Sequence, residues 1–157
     1  MVLGHRGAAG SAPENTLVSF ERALAEGAQV LESDIQMTSD AIPILLHDKS
    51  VDRTTDGTGE SLQLDLGEIR SLDAGAHFTP APGVTPVDTD GPVRIPTLRE
   101  AFEHLPEAAF NLEIKGKSPA LVGAVVALVA EFEREEQTLL TAGDDRIQAL
   151  LREELKR

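Results

Sequence analysis

The sequence contains no cysteine, and that one absence removes disulfide staples, thiolate metal ligands and cysteine nucleophiles together. Any metal site must be built from oxygen and imidazole. Cations are scarce as well: 14 Lys and Arg stand against 27 Asp and Glu, a formal charge of -13 at pH 7. A surface of that sign repels nucleic-acid phosphates and anionic membranes, so neither is expected as a partner, and an anionic substrate needs a local patch of opposite sign. Basic residues near candidate sites therefore carry extra weight. Long hydrophobic runs are missing too, since the longest apolar stretch, Leu121 to Ala130, is too short to span a bilayer. The opening Met1-Val2-Leu3-Gly4-His5 lacks the basic and long apolar regions of a signal peptide, which predicts a cytoplasmic protein without a stable membrane anchor. There is no internal repeat and no low-complexity tract. With 41% hydrophobic content, the 157 residues are expected to form a single domain, 1–157, around one core.

The chain instead alternates strand and helix signals. Val2-Leu3-Gly4 is a short apolar run, after which Asn15 is placed to cap a helix carrying Leu17, Phe20, Ala23 and Leu24 at helical spacing. Gln29 to Gln36 and Ile42 to Leu46 read as strands, and Asp65-Leu66-Gly67-Glu68 has capping-box spacing. A segment bearing Pro and Gly, Thr79 to Pro96, interrupts the pattern. Thr97-Leu98-Arg99-Glu100 then opens a helix to about Leu105, and Phe110 to Lys115 is a strand. Ser118-Pro119 starts a helix with a broad apolar face, Thr138 to Thr141 is one more strand, and Ile147, Leu150, Leu151 and Leu155 mark a last amphipathic helix. Such alternation predicts an α/β protein with a parallel sheet, successive strands lying side by side. Element order alone fits both a doubly wound sheet and part of a barrel.

Strand periodicity sorts the charges by face. Residues two apart share a face, so Glu32 and Asp34 point one way while Leu31 and Ile35 point the other. By the same count Asn111, Glu113 and Lys115 share a face, opposite Leu112 and Ile114. Solvated polar faces would explain either strand alone. Parallel sheets, however, are usually covered on both sides, and a buried carboxylate without compensation recruits a cation or shifts its pKa. Glu32, Asp34 and Glu113 together thus point to one hard divalent ion, Mg²⁺ or Ca²⁺ rather than a structural zinc.

Of the four histidines, His104 in a surface helix and His77 after a Gly-bearing turn read as structural. His5 and His47 each end an apolar run and precede a charged residue, which places both at the C-terminal ends of strands and suits acid–base chemistry. Arg6 and Lys115 are local cations matched to a phosphate, or equally to salt bridges with the same carboxylates.

Taken in order, His5-Arg6-Gly7, Pro13-Glu14-Asn15-Thr16, Glu32-x-Asp34, His47-Asp48, Arg53-Thr54-Thr55 with Gly57 and Gly59, Ile95-Pro96-Thr97-Leu98 and Leu112-Glu113-Ile114-Lys115 resemble the glycerophosphodiester phosphodiesterase family. Singly each motif is short; the ordered set carries the resemblance. It implies a TIM-barrel-type (β/α) fold, and an enzyme that hydrolyses glycerophosphodiesters to sn-glycerol 3-phosphate and an alcohol. It further implies a metal held by Glu32, Asp34 and Glu113, acid–base roles for His5 and His47, and phosphate contacts from Arg6 and Lys115. Two local departures stand out: Ser39-Asp40-Ala41 where the family has an Asp-Gly turn, and Thr141-Ala142-Gly143-Asp144 where the match fades. In length, too, the chain falls short of the roughly 250 residues that close eight strands, so about half of a (β/α)8 barrel is expected. Such a half exposes strand edges and an apolar interior, which predicts self-association or pairing with a complementing half-barrel. The alternatives are a catalytically incompetent barrel fragment or binding module, and a phospholipase D-like enzyme acting on lysolipids.

Overall fold

A computed structural model describes residues 1–156. The elements run β1 (Leu3–His5), α1 (Leu17–Ala25), β2 (Val30–Met37), β3 (Pro43–Leu45), α2 (Leu66–Ser71), α3 (Leu98–His104), β4 (Ala109–Ile114), α4 (Pro119–Glu131), β5 (Thr138–Ala142) and α5 (Asp145–Glu154). Four strands form a parallel sheet in the order β1-β2-β4-β5, with β2 near the middle. β3 departs from the expected pattern. It pairs antiparallel with β2, Ile35 opposite Leu45 and Met37 opposite Pro43. The physical reason is the short connection 38–42, because a parallel return needs a dozen or more residues of crossover. β1 and β3 therefore share one edge of β2, and β4 takes the other.

One face of the sheet is packed. Leu31, Ile35, Phe110, Leu112, Ile114 and Leu140 are buried against α1, α3, α4 and α5, whose Phe20, Phe102, Leu121, Val125 and Leu151 complete the core. Phe110 stands edge-on to Phe20 and Phe102, at 5.9 and 5.8 Å between ring centroids. The opposite face is open. Leu3 is 41% exposed and Leu139 60%, so along the outer strands the two-sided burial expected of a parallel sheet holds on the helix side only, while Asp34, Gln36 and Ile44 on the open face are buried where β2 meets β3. A buried arginine closes the core beneath α3: Arg134 donates to the carbonyls of Leu105, Pro106 and Ala108, and its guanidinium lies 4.7 Å from the Phe102 ring centroid. Among the described residues no helix is long and apolar enough to cross a membrane.

Helix starts follow the sequence with one correction. Both capping boxes form, at Asp65 and at Thr97. Asn15, by contrast, does not cap α1. It sits at φ 56°, whereas an N-cap is extended, and the cap is Thr16, whose hydroxyl accepts from Ser19 N–H. The Ser39-Asp40-Ala41 turn does require positive φ, since Ala41 stands at 64°, so a side chain occupies a position that favours glycine.

Between β3 and α3 the chain makes an excursion with a small core of its own, formed by Ile44, Leu46, Val51, Ile69, Ala74 and Ile95. The long segment beyond it is tied back over the loop after β1 by Ala81 N–H to the Gly10 carbonyl at 2.8 Å and Val87 N–H to the Ser11 carbonyl at 2.7 Å. These bonds hold the β1 loop, which carries part of the site, against the body of the protein.

Candidate active site

The site forms where three parallel strands end. In the sheet register Asp34 pairs with Glu113 and Glu32 with His5 on one side and Asn111 on the other, so all five side chains share the open face. Glu32, Asp34 and Glu113 each offer a carboxylate oxygen, and these lie within 4.8 Å of one another. Around them stand two cations. Lys115 Nζ is 2.9 Å from Glu113 Oε2 and 3.2 Å from Asp34 Oδ1, while Arg6 Nε is 3.4 Å from Asp34 Oδ2. Both bases thus make the salt bridges that the sequence left as an alternative to phosphate contact. His5 Nε2 lies 3.7 Å from Glu32 Oε2.

Local backbone geometry explains how Arg6 reaches the cluster. Arg6 itself adopts φ 55°, and its N–H donates to Glu32 Oε2 at 3.1 Å. Gly7 follows at φ 84°, where a Cβ would come within 2.4 Å of Ser19 Oγ, so no other residue fits. The tight turn reverses the chain directly over Glu32. Asn15, in a left-handed conformation as well, donates from Nδ2 to Asp34 Oδ2 at 3.1 Å and accepts at Oδ1 from Ser33 Oγ at 2.8 Å.

His47 lies against the same strand. Leu46 N–H donates to the Asp34 carbonyl at 3.0 Å, and Gln36 Nε2 donates to the His47 carbonyl at 3.1 Å. His47 Nδ1 is 2.6 Å from Asp48 Oδ1. The two remaining histidines sit elsewhere: His104 pairs with Glu21 at the surface, and His77 Nδ1 is 3.3 Å from the Arg53 carbonyl.

A model of the glycerophosphoryl diester phosphodiesterase family matches residues 5–151, from the first histidine of the cluster into α5. The chain belongs to that family. A glycerophosphodiester phosphodiesterase of Caldanaerobacter subterraneus is 35% identical over 147 residues, covering 90% of this chain and 57% of that protein. Among solved structures, a glycerophosphodiester phosphodiesterase from Agrobacterium tumefaciens superposes with a TM-score of 0.85 at 30% identity, over 99% of this chain and 63% of that one. An Oleispira antarctica phosphodiesterase in complex with the product sn-glycerol-3-phosphate gives 0.81 at 29% identity, over 99% and 62% respectively. The fold is thus the family's TIM-barrel type, and the chain spans about three fifths of the length of these solved relatives.

The donor set of this family member suits a hard divalent cation. Three carboxylates converge with no softer ligand, and the Asn111 amide oxygen beside Glu32 is buried without a hydrogen-bond partner. Burial and the charge of Asp34 push the Glu32 carboxyl above its ordinary pKa, outweighing the Arg6 N–H and the positive charges of His5 and Arg6 that pull it down. Burial pulls Lys115 the other way, but its hydrogen bonds to Glu113 and Asp34 outweigh that and raise its pKa, so it stays charged. The triad could therefore hold a metal ion, with Lys115 and Arg6 offsetting part of its acidity.

Sequence reasoning missed part of the site. Asn15 was read as a helix cap, and the ion pairs of Glu14, Asp48 and Arg53 were not foreseen. Their only trace was membership in family-like motifs. Arg53 lies 39 positions from Glu14, so no periodicity could link them.

Proposed function

We propose that this chain carries the catalytic end of a metal-dependent phosphodiesterase that splits glycerophosphodiesters into sn-glycerol 3-phosphate and an alcohol. The observation supporting this reading is the convergence of Glu32, Asp34 and Glu113 on one point, flanked by His5, Arg6 and Lys115. Mg²⁺ or Ca²⁺ held by the three acids would polarise the phosphoryl oxygens and offset charge as it develops. Arg6 and Lys115 are only partly exposed and already face the acids, so an arriving phosphate diester would meet two fixed positive charges. An oxygen nucleophile forms the new P–O bond: water, which gives sn-glycerol 3-phosphate directly, or a hydroxyl of the glycerol itself, which gives a cyclic phosphate that water opens in a second step. One imidazole of His5 and His47 takes its proton, and the other protonates the departing alcohol oxygen as the old P–O bond breaks.

The test is incubation with glycerophosphocholine and glycerophosphoethanolamine under Mg²⁺, Ca²⁺ or chelator, reading sn-glycerol 3-phosphate. Product is expected with metal and not with chelator, and His47→Ala is expected to lower the rate by roughly 10²–10⁴. A folded chain that makes no product under any metal overturns the reading.

The open sheet face adds a second expectation. With Leu3 on β1 and Leu139 on β5 presented to water at the two outer strands of the parallel sheet, the chain is expected to self-associate unless a complementing half-barrel covers it. Light scattering checks this, and a stable monomer with a cooperative unfolding transition contradicts it.

A further inference from the structure

Arg53 is bonded to two carboxylates at once. Its Nη1 and Nη2 donate to Glu14 Oε2 and Oε1 at 2.9 and 2.7 Å, while its Nε and Nη2 donate to Asp48 Oδ2 and Oδ1 at 2.6 and 3.2 Å. The two partners belong to different loops, Glu14 to the one after β1 and Asp48 to the one after β3. Each carries the contact onward. Glu14 Oε1 accepts from Arg6 Nη1 at 3.0 Å, and Asp48 Oδ1 meets His47 Nδ1 at 2.6 Å. A ladder of charge-assisted contacts therefore runs from Asp34 through Arg6, Glu14, Arg53 and Asp48 to His47.

The chemistry of the ladder decides where the His47 proton sits. The hydrogen bond from Arg53 is the largest influence holding the Asp48 carboxyl down at about 2, so Asp48 is ionised and can only accept. The imidazole nitrogen facing it must then be the protonated one. Gln36 secures the backbone of His47 through its carbonyl, but among the described contacts the ring itself is bonded to Asp48.

We propose that Arg53 is a positioning residue for His47: it clamps Asp48 against Glu14, and the clamped Asp48 keeps the imidazole proton on Nδ1 and leaves Nε2 free to exchange a proton. This rests on the acid–base role given to His47 above. Lysine cannot replace the arginine, because a single ammonium does not present two planar forks.

The experiment uses the whole chain labelled with ¹⁵N-histidine and a long-range ¹H–¹⁵N correlation spectrum, with His47 assigned by its loss in His47→Gln. The neutral ring is expected to be predominantly Nδ1-protonated in the unsubstituted chain. Asp48→Ala defines the pattern of an unheld ring, and Arg53→Met is expected to move most of the way to it. Arg53→Lys, which keeps the charge and serves if the methionine variant does not fold, is expected to fall between. An Nε2-protonated ring in the unsubstituted chain overturns the proposal. So does either arginine variant that is folded by circular dichroism and keeps the original His47 pattern while Asp48→Ala loses it. These spectra do not depend on turnover. A chain that makes no sn-glycerol 3-phosphate sinks the phosphodiesterase reading and leaves the Arg53 result standing. In an active chain Arg53→Met is expected to lower kcat on the order of tenfold or more, a fraction of what a well-placed acid or base contributes, with KM changed less than about twofold. A fall confined to KM would contradict positioning.

Discussion

Asp34→Asn is expected to weaken divalent-cation binding at least about a hundredfold while leaving the chain folded. Losing a residue one step removed from a metal typically costs roughly 10–100-fold, so losing a ligand's charge costs at least the upper end of that range. Folding is expected to survive because the substitution preserves shape. The remaining amide oxygen can still accept from Asn15 Nδ2, Lys115 keeps Glu113 and Arg6 keeps Glu14. Calorimetric titration with Mg²⁺ and with Ca²⁺ measures the effect, and circular dichroism confirms the fold. Undiminished affinity in a folded Asp34→Asn chain would show that the ion, if bound, is held elsewhere.

The largest stability effect is expected at Phe110. This residue is 1% exposed near the start of β4, with Phe20 and Phe102 packed edge-on and the Arg134 guanidinium 5.6 Å from its ring centroid. Phe110→Ala removes the ring that joins α1 and α3 to the sheet. Truncations of this kind cost about 3–5 kcal/mol, and each lost aromatic pair adds about 0.5–1.5 kcal/mol. Domains hold only about 5–15 kcal/mol in total, and here the open sheet face contributes only the small core around Ile44, so the variant is expected to be largely unfolded at room temperature. Urea titration followed by circular dichroism checks this. A loss below about 1 kcal/mol would mean that the aromatic cluster is not where the stability resides.

Much of this site was legible before any coordinates. The two-residue period of a strand put Glu32 with Asp34 and Asn111 with Glu113 and Lys115, and the register then set Asp34 beside Glu113. His5 closes β1, as the apolar run before it indicates, whereas His47 lies two residues past the antiparallel β3; both capping boxes formed where their spacing stood. Each of these is a local property, carried within a few residues by backbone geometry.

What failed was local reading applied to residues whose partners are distant. Asn15 carries a capping side chain, yet the turn after Gly7 holds it in a left-handed conformation and turns its amide onto Asp34. Ile42 to Leu46 reads as a strand of the parallel series, but the strand that forms, Pro43–Leu45, is forced antiparallel by its short connection to β2.

By itself, then, the sequence determined the chemistry available to this protein: oxygen and imidazole ligands, a cluster of acids on one strand face, and a strand–helix alternation that leads to a β/α sheet. Tertiary structure alone decided which strands flank β2, which sheet face stays open, and how Arg53 joins the loop of Glu14 to that of Asp48 and His47. Periodicity is set by neighbours along the chain, whereas the meeting of two loops depends on how the helices and sheet pack between them.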